Sequence, residues 1–271
     1  MKKGFGNFIL IPTIYSAGIT LAIYAAIQEL HKFNNSSQFY VFSASIFIII
    51  ISEIIINYIA RSKTVVINMD FSDEINELSH LFNKIVLPIA LYISIIGFGY
   101  YNLSSNILTI VLILTFVLFF ILFINIRSFF KDSLNLESKT HFVYDFFKFI
   151  IFFLGVDVIV NYSQGNAQQV FGGVLALCMV LHLLLIVRQK FAQKRHYLMA
   201  IIGSIVIAES STLLVAANRY NQLQISLCVV FIFYLSLAII QHAISRTLTK
   251  SVLFEYLLIL LIAVSILLGV S

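Results

Sequence analysis

The chain of 271 residues has no tryptophan, two prolines, two cysteines and only 11% charged residues. Each scarcity excludes something. A soluble domain of this size carries roughly 25% charged residues, so a conventional soluble domain is excluded. Cys178 and Cys228 both fall inside long apolar segments and lack the spacing of a metal site or a disulfide framework. They read as small apolar fillers. Pro12 and Pro88 stand at the starts of apolar blocks, where a missing N–H costs little. The broken helices that mark many transporters are therefore not signalled. There is no H-E-x-x-H, no G-x-S-x-G and no phosphate-binding glycine loop. No catalytic residue, no metal ligand set and no cofactor is assigned.

What is present is apolar sequence. Hydrophobic residues make up 61% of the chain, and they gather in blocks of about 20, the length that crosses a bilayer core. Nine blocks emerge, at approximately 8–28, 39–60, 85–101, 106–126, 143–161, 170–187, 197–217, 223–244 and 251–270. The expected fold is all-α, a polytopic integral membrane helical bundle with about nine transmembrane helices in a single domain. The N-terminal Lys2 and Lys3 followed by an apolar run imitate a signal peptide. The run is longer than the usual leader core and has no A-x-A site after it, so it reads as a retained first span.

The formal charge of +5 follows the bilayer rather than a nucleic acid. With the N-terminus inside and the spans alternating, only Lys32 and Arg219 of the 17 basic residues fall in outer loops, and Lys148 falls within a span. The positive-inside rule then gives an N-in, C-out orientation. Composition and size are those of bacterial cytoplasmic (inner) membrane proteins, with the N-terminus cytoplasmic. The expected partners are the lipid bilayer and a membrane protein or a second copy, with no nucleic acid. Pairs such as Tyr144 and Tyr162, or Tyr197 and Tyr220, flank spans as an aromatic belt does. Between the second and third blocks, residues 70–84 place Phe71, Ile75, Leu78 and Phe82 on one helical face, which predicts a short amphipathic helix at the inner surface.

The seventh block carries the feature of most interest. Ser204, Ala208, Thr212 and Ala216 repeat every four residues as a small-residue packing seam, and Gly18, Ala22 and Ala26 do the same in the first block. Glu209 lies deep in the seventh block, where an ionised group costs about 2.5–3.5 kcal/mol on insertion scales. Its candidate partners are Glu53 and Asn57 in the second block and His182 in the sixth, and Asp157 with Asn161 could line an outer vestibule. Three functions stay open. The leading one is a non-enzymatic membrane subunit or scaffold that acts through packing with partners or lipids. The second is a small-solute or proton-coupled transporter using Glu209, Glu53 and Asp157. The third is a membrane-embedded lipid-modifying enzyme pairing His182 or His242 with a carboxylate.

Overall fold

A computed structural model describes residues 3–29, 44, 46–48, 50–52, 55, 71–102, 105–131, 137–187, 193–217 and 220–269. Among these every regular element is a helix: α1 (Lys3–Gln28), α2 (Phe71–Tyr101), α3 (Ser105–Lys131), α4 (Glu137–Ser163), α5 (Ala167–Val187), α6 (Lys194–Ala216), α7 (Gln222–Ile244) and α8 (Lys250–Gly269). The residues described between positions 44 and 55 are helical too. Five helices hold segments long and apolar enough to cross a membrane: Leu10–Gln28, Tyr144–Ser163, Ala167–Val187, Lys194–Ala216 and Gln222–Ile244. The blocks at 85–101 and 106–126 coincide with the shorter apolar segments Ile85–Tyr101 and Leu108–Ile124. The protein is thus a helical membrane-type chain.

Two compact units divide the chain, Met1–Phe147 and Lys148–Ser271, with the boundary inside α4. In the first unit α1 packs chiefly on α3 and also on α2. Its buried line is Ser16, Ile19, Ile23, Ala26 and Ile27. Gly18 and Ala22 are only half-buried. A Cβ built at Gly18 would meet nothing within 4 Å, so this glycine is not where helices press together. The close approach is at Gly99 of α2, where a Cβ would lie 2.5 Å from Ile27 Cδ1. Tyr15 meets Phe123 edge-on at 6.0 Å between centroids, and Phe47 meets Tyr92 at 5.7 Å. Edge-to-face pairs of this kind add to burial through the ring quadrupoles.

Both prolines lie inside helices rather than at their starts. The reason is that each helix begins well before its apolar block. Helix α2 runs unbroken for 31 residues and absorbs the acidic stretch that precedes Ile85.

The second unit is a series of sequential hairpins, with α5 on α6, α6 on α7 and α7 on α8. Local chemistry sets the boundaries. Gln164 and Gly165, with φ of 47° and 89°, turn the chain out of α4. Asn166 Oδ1 then accepts from the amides of Gln168 and Gln169 at 3.1 and 3.4 Å. At α7 a reciprocal capping box forms, in which Gln224 N–H donates to Asn221 Oδ1 at 2.8 Å and Asn221 N–H donates to Gln224 Oε1 at 3.1 Å.

Helices α4 and α5 exchange knobs for holes. A Cβ at Gly155 would come within 2.7 Å of Leu177, and one at Gly173 within 2.9 Å of Ile159. Four residues forward on α4 match four residues back on α5, which is antiparallel register. Gly172, beside the real contact, faces open space.

Candidate functional site

His182 on α5 is fully buried and bound at both ring nitrogens. Nδ1 lies 2.9 Å from Ser204 Oγ on α6, and Nε2 lies 3.0 Å from Ser236 Oγ on α7. The tautomer follows from the next link. Ser204 Oγ donates to the Ala200 carbonyl at 2.7 Å, so its one proton is spent. Ser204 must then accept from Nδ1–H, which leaves Nε2 bare to accept from the Ser236 hydroxyl. The result is a directed chain, Ser236 to His182 to Ser204 to the Ala200 carbonyl, that ties three helices together.

Packing holds the ring in place. Phe233 lies 5.3 Å from the imidazole, centroid to centroid, and stacks on Phe152 at 4.0 Å. Gly203 makes room for the third helix, since a Cβ there would sit 2.5 Å from Ser236 Oγ. Interhelical hydrogen bonds in membranes are worth about 0.6 kcal/mol on average and about 1.7 at most, so two of them make a modest latch.

A hydroxyl on a histidine nitrogen is also the first half of a nucleophile–base pair. The second half, an oxyanion hole, needs free N–H donors. Ser236 sits in the interior of α7, where amides are spent in the helical ladder. No three His, Cys, Asp or Glu side chains come together as a metal site among the described residues. His242, further along α7, bonds Thr247 Oγ1 at 2.7 Å and Tyr256 OH at 3.2 Å. Neither histidine's hydrogen bond is to a carboxylate, the partner the lipid-enzyme reading requires.

Glu209 is on the other side of α6. Ala200, Ser204, Ile207, Ala208 and Ser211 form the buried face, whereas Glu209 is exposed. Five residues after Ser204, it is turned about 140° around the helix at 3.6 residues per turn. The structure therefore does not bring Glu209 to His182, and as a buried latch it is corrected to an outward carboxylate. Of the proposed seam, Ser204 and Ala208 are buried, Thr212 is half-buried and Ala216 exposed. The seam drifts to Ser211 because a four-residue repeat advances faster than the helix turns. The hydroxyls around Glu209 are occupied within their own helix. Ser210, Ser211 and Thr212 each donate to the carbonyl four residues back, at 2.7, 2.7 and 2.8 Å.

Asp157 on α4 is buried, and Asn161 Nδ2 donates to its Oδ2 at 3.1 Å and to its carbonyl at 2.8 Å. Lys148 is buried lower on the same helix and engaged by its surroundings. Glu53 and Asn57 lie outside the described residues. Sequence reasoning named His182 but missed Ser236. The available signal was a serine and a glycine near the middle of adjacent apolar blocks.

The family described as "Protein of unknown function (DUF5656)" matches residues 35–270, and the chain belongs to that family. No curated protein and no solved structure matches the chain.

Proposed function

We propose that this family member is a non-enzymatic membrane subunit that works through its helix surfaces and joins a second membrane chain along α6. The observation that carries this reading is Glu209, standing on an exposed face that is otherwise apolar: Leu198, Ile205 and Leu213. It lies about 10 Å from the C-terminal end of α6 by helical rise. An ionised group facing hydrocarbon costs several kcal/mol, and a donor on a neighbouring helix removes most of that cost. The closed Ser236–His182–Ser204 chain supports the same reading, because a latch whose hydrogen-bonding capacity is consumed has none left for a substrate. The distribution of basic residues supports a bacterial cytoplasmic membrane with the N-terminus inside.

The test is the size of the full chain extracted gently from its own membrane. Wild type is expected in a complex larger than one chain. Glu209→Gln keeps part of that complex through its amide, and Glu209→Leu releases the single chain. A wild-type protein that is already a single chain, unchanged by Glu209→Leu, overturns the reading.

A proton-coupled transporter is the second reading, favoured by the buried Asp157 with Asn161 and by the buried Lys148. It requires pH-dependent solute flux in liposomes that Asp157→Asn abolishes.

A further inference from the structure

One end of the second unit holds a feature that the surface of α6 does not explain. Where α6 begins and α7 turns into α8, an open recess of about 770 Å³ is lined by Gln193, Arg195, Met199, Ala243, Arg246 and Leu248. Two arginines line it. Among the described residues neither has an acidic partner, and neither is among those with contacts left unstated. His196, next to Arg195, is buried behind the recess. Its Nδ1 accepts from the Gln193 amide at 2.9 Å, which leaves the proton on Nε2. That proton is directed to the backbone of Ala243, which ties the start of α6 to the end of α7.

The amino end of α6 also points here, and a helix amino end favours negative charge. Arg246 is held in place by an unusual backbone. Its φ is +58°, and Arg246 N–H and Thr247 N–H close the turn on the carbonyls of Ala243 and His242 at 3.4 and 3.0 Å. The turn thus fixes the backbone from which the Arg246 side chain leaves beside the recess.

The recess has an apolar continuation. Met199 lines both it and a groove of about 280 Å³ between α6 and α7, walled by Ile202, Val206, Ile232, Leu235 and Ile239. From Met199 to Val206 the groove follows α6 for about 10 Å at 1.5 Å per residue. It is apolar apart from the Ser236 hydroxyl, which is already bonded to His182. A cationic cup that opens onto an apolar channel of this length has the form of an amphiphile. Basic pockets between spans at a membrane face are a recognised way of holding anionic headgroups.

We propose that Arg195 and Arg246 clamp the phosphate of an anionic phospholipid whose acyl chain lies in the α6–α7 groove. Guanidinium groups suit this task because their planar donors match phosphate oxygens two at a time. The site does not depend on Glu209, so the two proposals fail separately.

The test uses the purified full chain and native mass spectrometry, with phosphatidylglycerol, phosphatidylcholine or inorganic phosphate added. Wild type is expected to retain one phosphatidylglycerol in preference to phosphatidylcholine. Each arginine contributes about 5-fold in affinity and the pair about 30-fold, from about 1 kcal/mol per basic residue at a membrane surface. Arg195→Gln with Arg246→Gln should remove that preference, while a control losing Lys131 and Lys139, two charges of the other unit, should keep it. Val206→Phe, which fills the groove, should weaken the lipid but not inorganic phosphate. Equal retention of both lipids by wild type overturns the proposal, as does a double arginine variant that still prefers phosphatidylglycerol. Inorganic phosphate bound as tightly as the lipid overturns the lipid as the source of the anion.

Discussion

Replacing Ser236 by alanine tests the histidine latch most directly. The substitution removes the hydroxyl 3.0 Å from His182 Nε2 and leaves the 2.9 Å contact with Ser204 in place. If only an average interhelical bond were lost, the cost would be about 0.6 kcal/mol. His182 is fully buried beside Phe233, however, so the bare nitrogen finds no replacement. An acceptor stranded in apolar surroundings costs about 1–3 kcal/mol. The expected loss for Ser236→Ala is therefore about 1–2 kcal/mol. His182→Leu removes both bonds but strands nothing, because Ser204 keeps the Ala200 carbonyl and Ser236 can turn to the carbonyl four residues back. Once the ring is gone, Ser236→Ala should cost almost nothing, so the coupling between the two sites equals the wild-type cost, about 1–2 kcal/mol. The assay is equilibrium unfolding in mixed micelles, followed by a thiol-reactive dye. Cys178 and Cys228 are both buried and become reactive when the bundle opens. Costs that add to within about 0.3–0.5 kcal/mol would refute the latch. So would ring nitrogen resonances that place the proton on Nε2 rather than Nδ1.

Two further outcomes follow from the backbone. Gly172→Ala should stabilise the protein by up to about 1 kcal/mol through helix propensity, since its Cβ meets nothing, whereas Gly173→Ala pushes against Ile159 and should cost about 1–3 kcal/mol; the same unfolding assay separates the neighbours. Arg246→Gly should relieve the left-handed φ and raise the stability of the lipid-free chain by about 1 kcal/mol while weakening phosphatidylglycerol binding; a fall in both would show that the turn needs the side chain for folding.

The helices were legible in the sequence because a run of apolar residues is a strong and local signal. Their facing was not. In a soluble helix the buried side is apolar and the exposed side polar, so periodicity reveals orientation. On α6 the exposed Ile202, Ile205 and Leu213 are as apolar as the buried Ile207, and the contrast disappears. Small residues are the remaining guide, and they point to Ser204 and Ala208 but also to Gly18, which faces open space. Glu209 was misplaced for a different reason. Depth along the axis does not fix rotation about it, and the angle from Ser204, about 140°, is what turns the carboxylate outward. The pairing of His182 with Ser236 joins residues 54 apart in sequence, and no local pattern encodes it.

Helix α2 has a mechanical consequence. Its 31 residues span about 46 Å at 1.5 Å each, against a hydrocarbon thickness of about 30 Å. The apolar segment Ile85–Tyr101 accounts for about 26 Å of that, and the acidic Phe71–Lys84 forms the rest of the same rod. The helix continues through both parts with one rung missing where they meet, because Pro88 has no N–H to give to the Lys84 carbonyl. Whatever grips its polar end turns Tyr92 against Phe47 and Gly99 against Ile27. A force applied to the acidic end would thus reach the core of the first unit through the single weakened turn at Pro88.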